Sequence, residues 1–445
     1  MSSRQPVDLI IQPRWIIPVE PYGQTLEDHS VVVNAGRILV LCPRHEAITR
    51  FTPAEHVILD EHVLIPGLVN LHTHAAMTLM RGIADDLPLM RWLHEAIWPI
   101  EQQFVSPEFV RDGTALAAAE MLLGGITCAN DMYFYPDAAA TAFAEAGMRA
   151  VIGIFVVDFP SDYASNCDDY IEKGLSIRDS WRGHPLLEFS FAPHAPYTVP
   201  DTGFRRIIQL AHELDAPVHL HLHETHEEIR ASLEQHGKRP LAHLAGLGLL
   251  ETDLIVAHAI HLQADEIAIL AKNNASVAHC PSSNMKLASG IAPTVAMLEQ
   301  GLRVGLGTDG AASNNRLDLF EEMRQAGLLA KVASGRAEAF PAHALLRAAT
   351  LGGAAALRLD DQIGSITAGK AADLVAIRLD DLPIIPVFNP AGHIPYVADR
   401  RCVSDVWVAG KQRVRQHVPL QTHNKELLQR IRVWQNRLKT LATGQ

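Results

Sequence analysis

Several apolar, strand-like runs in this chain end abruptly in histidine or aspartate and then give way to a helical pattern. They are PGLVNLHTH at Pro66 to His74, the run into PHAPYT at Pro193 to Thr198, HLHLHET at His219 to Thr225, VAHAIH at Val256 to His261 and GLGTDG at Gly305 to Gly310. Buried parallel strands read as continuous apolar runs, and polar groups collected at the C-terminal ends of successive strands mark the active face of a barrel. Helical patterns near Ser106 to Gly124, Pro136 to Gly147, Cys167 to Asp179 and Asp201 to Leu214 alternate with ITCAND, RAVIGIFVVD, LEFSFAPH and PVHLHLHE, and LIVAHAI, ASVAHC and RVGLGTD follow. Counted from VLIPGLVNLH this gives eight strands, so the spacing predicts an α/β fold built on a closed parallel (β/α)8 TIM barrel.

The flanks read differently. From Val7 to Ile65 short β-rich runs are broken by Pro, Gly and Asn, with no long helical period, and Asn34 to Arg37 supplies a turn. Beyond helices at Leu317 to Ser334 and Ala342 to Leu357, GSITAGKAADLVAIRLD and VSDVWVAGKQRV return to strands. The expected organisation is a small β-sandwich from 1–65 and 365–417, a barrel over 66–364 and a helical tail over 418–445. The stretch after His74, rich in Met, Leu and Trp, is long enough to be a lid or pocket wall, with Met77, Met80, Met90, Trp92 and Trp98 either lining a pocket or packing beneath the loop.

A net charge of -12 argues against nucleic-acid or anionic-membrane partners, which require clustered Lys and Arg. Five scattered cysteines without C-x-x-C indicate neither a disulfide framework nor a thiolate metal site, and fit a reducing cytoplasm. The first residues are too interrupted by Pro and charge for a signal peptide, and no apolar run of transmembrane length is present.

On a strand, side chains two positions apart share a face, so His72 and His74 reach one ion together. Three or four protein ligands make a catalytic zinc site. Alternation places His219, His221 and His223 on one face, and spacing alone does not choose among them. His221 is favoured because Glu224 then follows at H-x-x-E, a carboxylate beside the metal water; His223 is the rival ligand, and His219 a packed, hydrogen-bonded histidine. Asp309 suits a fourth ligand that also accepts a proton. GLGTDG satisfies G-x-G-x-x-G too, but a dinucleotide fingerprint belongs on an early strand of a βαβ unit. His258 and His194 sit at matching strand ends and read as functional. These parts describe hydrolysis: the cation acidifies water, Asp309 takes its proton, Glu224 protonates a ring nitrogen of a heteroaromatic substrate, and His258 orients the water.

PGLVNLHTH, VHLHLHET, VAHAIH, HCPSSNMKLASG, GLGTDGAASNN and AGKAADLVAI resemble the metal-dependent amidohydrolase superfamily, in its cytosine deaminase and chlorohydrolase-like branch. More narrowly, the chain up to about Val414 resembles the 5′-methylthioadenosine/S-adenosylhomocysteine deaminases. The resemblance implies one zinc ion per subunit, with iron or manganese as alternatives, held by His72, His74, His221 and Asp309. It implies substrate contacts from Glu101, His194, Glu224 and Asp309, with His258 near the water and Glu101 accepting from two ribose hydroxyls. The expected enzyme is a cytoplasmic, homo-oligomeric deaminase of adenosine-type nucleosides. The alternatives are a guanine, cytosine or triazine deaminase or chlorohydrolase on the same scaffold, and a catalytically inactive scaffold protein.

Overall fold

The computed structural model describes residues 4–421 and 424–442. The N-terminal flank forms β1 (Gln5–Ile16), β2 (Leu26–Glu27), β3 (His29–Asn34), β4 (Arg37–Pro43) and β5 (Phe51–Pro66). The turn expected at Asn34 to Arg37 joins β3 to its antiparallel partner β4. A two-turn helix, Arg44–Arg50, lies between β4 and β5, where the sequence predicted strands and turns alone. It carries the chain across so that β5 runs parallel to β1. Only Ala47 of this helix is buried, so no apolar period announces it.

The eight strands of the barrel are β6 (Leu68–Thr73), β7 (Ile126–Asp131), β8 (Arg149–Val156), β9 (Leu187–Pro193), β10 (Val218–Leu222), β11 (Leu254–His258), β12 (Ser276–His279) and β13 (Arg303–Leu306). They follow one another in chain order, each parallel to the next. Every residue of β6, β7 and β8 is buried, which is why these strands read as apolar runs rather than alternating ones. The circuit from β13 back to β6 is made just past the strand end. Asp309 N donates to His72 O at 2.9 Å, while Asn70 Oδ1 accepts from Thr308 N at 2.9 Å and Asn70 Nδ2 donates to Thr308 Oγ1 at 2.8 Å. Gly305 and Gly307 serve this closure: a Cβ on Gly307 would meet the His72 backbone N at 2.9 Å, and one on Gly305 would meet Leu71 Cδ2 at 2.6 Å. The glycines of GLGTDG therefore permit close strand packing.

After the barrel come β14 (Leu374–Arg378), β15 (Val403–Val408), β16 (Lys411–Arg415) and β17 (Val418–Pro419), which join β1 to β5 in one nine-stranded mixed sheet through the antiparallel pairing of β14 with β5. One core of the sheet contains Leu9, Ile11, Val31 and Val33 from one end of the chain and Leu374, Ala376 and Trp407 from the other. It is tied to the barrel by a buried pair, Arg149 Nε to Asp373 Oδ2 at 3.1 Å. Removing one partner of such a pair costs about 3–5 kcal/mol, because the other charge is left buried alone. The C-terminal helix Asn424–Ala442 packs on the helix Pro107–Leu123, where Asp112 accepts from Arg430 Nε at 2.7 Å and Trp434 Nε1 at 2.9 Å. No helix among the described residues is long and apolar enough to cross a membrane.

The stretch after His74 is an excursion of a short 3-10 helix, Ala75–Met80, and a continuous helical run from Leu89 to Phe104. That run widens to a π-type turn over Leu93–Ile97 immediately before Trp98 and Pro99. Proline has no N–H for the residue four back, and a widened turn accommodates it. The excursion walls the mouth of the barrel.

Candidate active site

The C-terminal rim of the barrel brings the eight sequence-predicted residues to one cavity. His74, Glu101, His194, His221, Glu224, His258 and Asp309 line it, and His72 lies wholly buried behind them. One ligand atom from each of His72, His74, His221 and Asp309 lies within 4.8 Å of the others. Asp309 Oδ1 is 3.3 Å from His72 Nε2 and 3.2 Å from His74 Nε2, and His74 Nε2 is 3.3 Å from His221 Nε2.

These separations fit a cation. Bonds of about 2.1 Å to a tetrahedral zinc place neighbouring ligand atoms about 3.4 Å apart. The second nitrogens are already engaged: His74 Nδ1 donates to Met132 O at 2.6 Å and His221 Nδ1 to His194 O at 2.7 Å. The Nε2 atoms of these two rings therefore face each other across 3.3 Å, an arrangement that a positive charge relieves. His72 Nε2 is buried with no hydrogen-bond partner, while its Nδ1 lies 3.0 Å from His219 Nε2.

The electrostatics agree. Burial and neighbouring imidazoles hold His221 well below the ordinary imidazole range; burial, partly offset by Asp309, brings His72 to about 4. Burial acts on His74 in the same sense, yet its hydrogen bond with Asp309 carries it up to about 9. Burial raises the Asp309 carboxyl, but the imidazoles of His72 and His74 beside it outweigh that and hold the group well below the usual carboxylate range. The position calls for positive charge.

Around this cluster, burial pushes the Glu224 carboxyl up, and Glu224 Oε2 lies 3.9 Å from His258 Nε2. His258 Nδ1 is fixed by Asn284 Oδ1 at 2.8 Å. His194 Nδ1 meets Thr198 Oγ1 at 3.0 Å, and its ring centre is 4.8 Å from that of His221. Burial pushes Glu101 up to about 7, against a hydrogen bond from Tyr133 Oη to Glu101 Oε1 at 2.7 Å. His258 and Asp309 carry φ of 69° and 59°, and such left-handed backbone at non-glycine residues clusters where a site over-determines it.

His223, the rival ligand, is elsewhere. β10 ends at Leu222, and φ of 56° at His223 breaks the alternation that would have kept it on the face of His221. It pairs with Arg239 Nη2 at 3.2 Å and accepts from Leu241 N at 3.2 Å. His219 is buried against His72 and Asn130. Of the residues singled out after His74, Met77, Trp92 and Trp98 line the inner cavity, Met90 lines its outer extension, and Met80 is buried in the core.

Sequence reasoning missed the supports. Ser283 Oγ and Ser313 Oγ donate to Asp309 Oδ2 at 2.6 and 2.7 Å, fixing the carboxylate. Glu228 accepts the backbone N–H groups of His223 and Glu224, both at 2.9 Å, and so sets where Glu224 stands. Its signal was present: Thr225-x-x-Glu228 is a capping-box pattern, and Thr225 Oγ1 accepts from Glu228 N at 3.2 Å. The Glu228 side chain reaches past the usual N-cap amide to the two preceding ones.

The amidohydrolase family profile matches residues 63–413. A 5-methylthioadenosine/S-adenosylhomocysteine deaminase of Teredinibacter turnerae is 47% identical over 438 residues, 98% of this chain and 99% of that protein. A second of the same name from Saccharophagus degradans is 44% identical over 99% of this chain and 98% of its own length. The crystal structure of an adenosine deaminase from Xanthomonas campestris with bound zinc superposes with a TM-score of 0.97 at 47% identity, covering 98% of this chain and 100% of that one. An atrazine chlorohydrolase from Arthrobacter aurescens, complexed with zinc, shares the fold at 24% identity and a TM-score of 0.87, covering 96% of this chain and 99% of that one. A barrel with histidines and an aspartate converging at its rim, matched along nearly its whole length, places the chain in the amidohydrolase family, among the 5-methylthioadenosine/S-adenosylhomocysteine deaminases.

Proposed function

We propose that the chain is a zinc-dependent hydrolytic deaminase of adenine nucleosides, converting 5-methylthioadenosine and/or S-adenosylhomocysteine to the inosine analogue and ammonia. The observation that carries this reading is the convergence of His72, His74, His221 and Asp309 on one cation-sized point beside Glu224 and His258. The names of the relatives and the zinc bound in the Xanthomonas campestris enzyme support it. The same four residues would hold the ion. When bound, zinc acts as a Lewis acid that lowers the pKa of water towards about 7.

The residues of the chain then divide the proton work. Glu224, whose carboxyl burial keeps protonated more readily than usual, gives its proton to the ring nitrogen next to the amino-bearing carbon. Asp309, held anionic and aimed by Ser283 and Ser313, takes one proton from the attacking water as the new C–O bond forms. His258, its Nδ1 anchored on Asn284, presents Nε2 to the water and steadies it. The proton on Asp309 passes to the amino group, the C–N bond breaks and ammonia leaves. The remaining O–H proton returns to Glu224 as the carbonyl forms, so atoms and charges balance.

Glu101 stands at the neck between the inner cavity and its outer extension, with Tyr133 on Oε1 and Oε2 left to accept from ribose hydroxyls. This favours a nucleoside over the free bases and triazines that other barrels of this shape accept. Hydrogen bonds to a charged group contribute about 1.5–3 kcal/mol. The test is ammonia release over a nucleoside panel. Glu101→Ala is expected to erase a preference of about 10- to 100-fold for adenosine over its 2′,3′-dideoxy analogue. A preference that survives the substitution would remove Glu101 from the ribose site.

Self-association belongs to the same proposal, supported by the exposed Leu382, Ile385 and Phe388 of one surface segment, and a reducing compartment is supported by five free, buried cysteines.

A further inference from the structure

The inner cavity opens past Glu101, Trp98 and Tyr197 into an outer chamber of about 1080 Å³. With the purine beside the metal cluster and the ribose on Glu101, a 5′ substituent leads outward into this chamber. We infer that the outer chamber selects adenine nucleosides whose 5′ thioether tail lacks a carboxylate, the methylthio compound above the homocysteine one. The inference rests on the nucleoside reading above and ranks the two tails it leaves open.

Size does not rank them. Small-molecule sites run from about 300 to 1,000 Å³, so this chamber has room for either tail. Charge does. Among the described residues, the charged side chains lining it are Glu101, Asp158 and Asp162, all carboxylates, with no lysine or arginine. Lys173, behind the chamber wall, is committed to Tyr163 O at 2.7 Å and Asp169 Oδ2 at 3.1 Å. His94, on the excursion wall, packs edge-on to Trp98 with ring centres 4.4 Å apart. A carboxylate entering beyond Glu101 trades water for the like charges of Asp158 and Asp162 and gains no fork of donors, which is selection by repulsion. A sulfur atom with a methyl group instead meets the rings of Trp98, Phe134 and Phe159, contacts that suit a polarizable thioether.

The experiment measures kcat/KM by ammonia release on the zinc-loaded enzyme for four adenosines. Their 5′ tails are methylthio, S-homocysteinyl, a carboxyethylthio group bearing only the anion, and an aminopropylthio group bearing only the cation. The expected result places the methylthio compound about tenfold or more above both carboxylate-bearing tails, with the aminopropyl tail closer to methylthio. Asp162 is the variant site of choice, because Asp158 also accepts the backbone N–H of Cys167 at 3.3 Å. Asp162→Asn should narrow the gap and Asp162→Arg should narrow it further. Homocysteinyl turnover equal to or above methylthio, or a gap that neither variant moves, would overturn the inference while leaving the deaminase reading in place. Failure to release ammonia from any of the four, or from adenosine, would instead overturn the reading beneath it.

Discussion

Exchange of Asp309 for asparagine is expected to lower kcat for deamination at least about 10³-fold while the protein stays folded. General acid–base groups contribute about 10²- to 10⁴-fold, and the mechanism proposed above gives Asp309 two tasks, proton acceptor and anionic ligand. Asparagine matches the shape, and it tolerates the left-handed backbone found here, φ 59°. What it lacks is the negative charge that faces His72 and His74 at 3.3 and 3.2 Å. Steady-state ammonia release with circular dichroism of the same sample checks this. Turnover within a few-fold of wild type would remove Asp309 from the chemistry.

Glu224→Gln is expected to cut kcat by about 10²- to 10⁴-fold with little change in KM and none in zinc content. The backbone at this position is held by Glu228 through the N–H groups of His223 and Glu224, so the amide side chain should occupy the place of the carboxyl. Only the transferable proton is lost. A large rise in KM with kcat preserved would make Glu224 a binding group instead. Loss of zinc would make it a ligand, against a cluster that excludes it.

The barrel was legible because its strands are buried on both faces and appear as apolar runs, and because H-x-H on β6 and aspartate after β13 interrupt those runs with chemistry. Length and order followed from counting. The two-turn helix Arg44–Arg50 was not legible, since one buried alanine gives no period. His223 stood as a rival to His221 because alternation is a property of strands, and β10 stops one residue earlier. The supports of the site were hidden for a different reason. Ser283, Asn284 and Tyr133 act across the rim from segments far from their partners in sequence, Ser313 sits in the turn just after Asp309, and a lone serine or asparagine in a loop has many other uses. Glu228 stood in a recognisable capping pattern whose side chain does a second job.

A zinc-dependent deaminase of this build requires residues remote in the chain to grip one cation. The direct measurement is diffraction from crystals of the purified, zinc-loaded protein on both sides of the zinc absorption edge, with metal content determined on the same batch. The expected result is one zinc per chain and a single anomalous peak within about 2.0–2.2 Å of His72 Nε2, His74 Nε2, His221 Nε2 and Asp309 Oδ1. A fully active preparation with no metal, or a peak away from these four atoms, would contradict it.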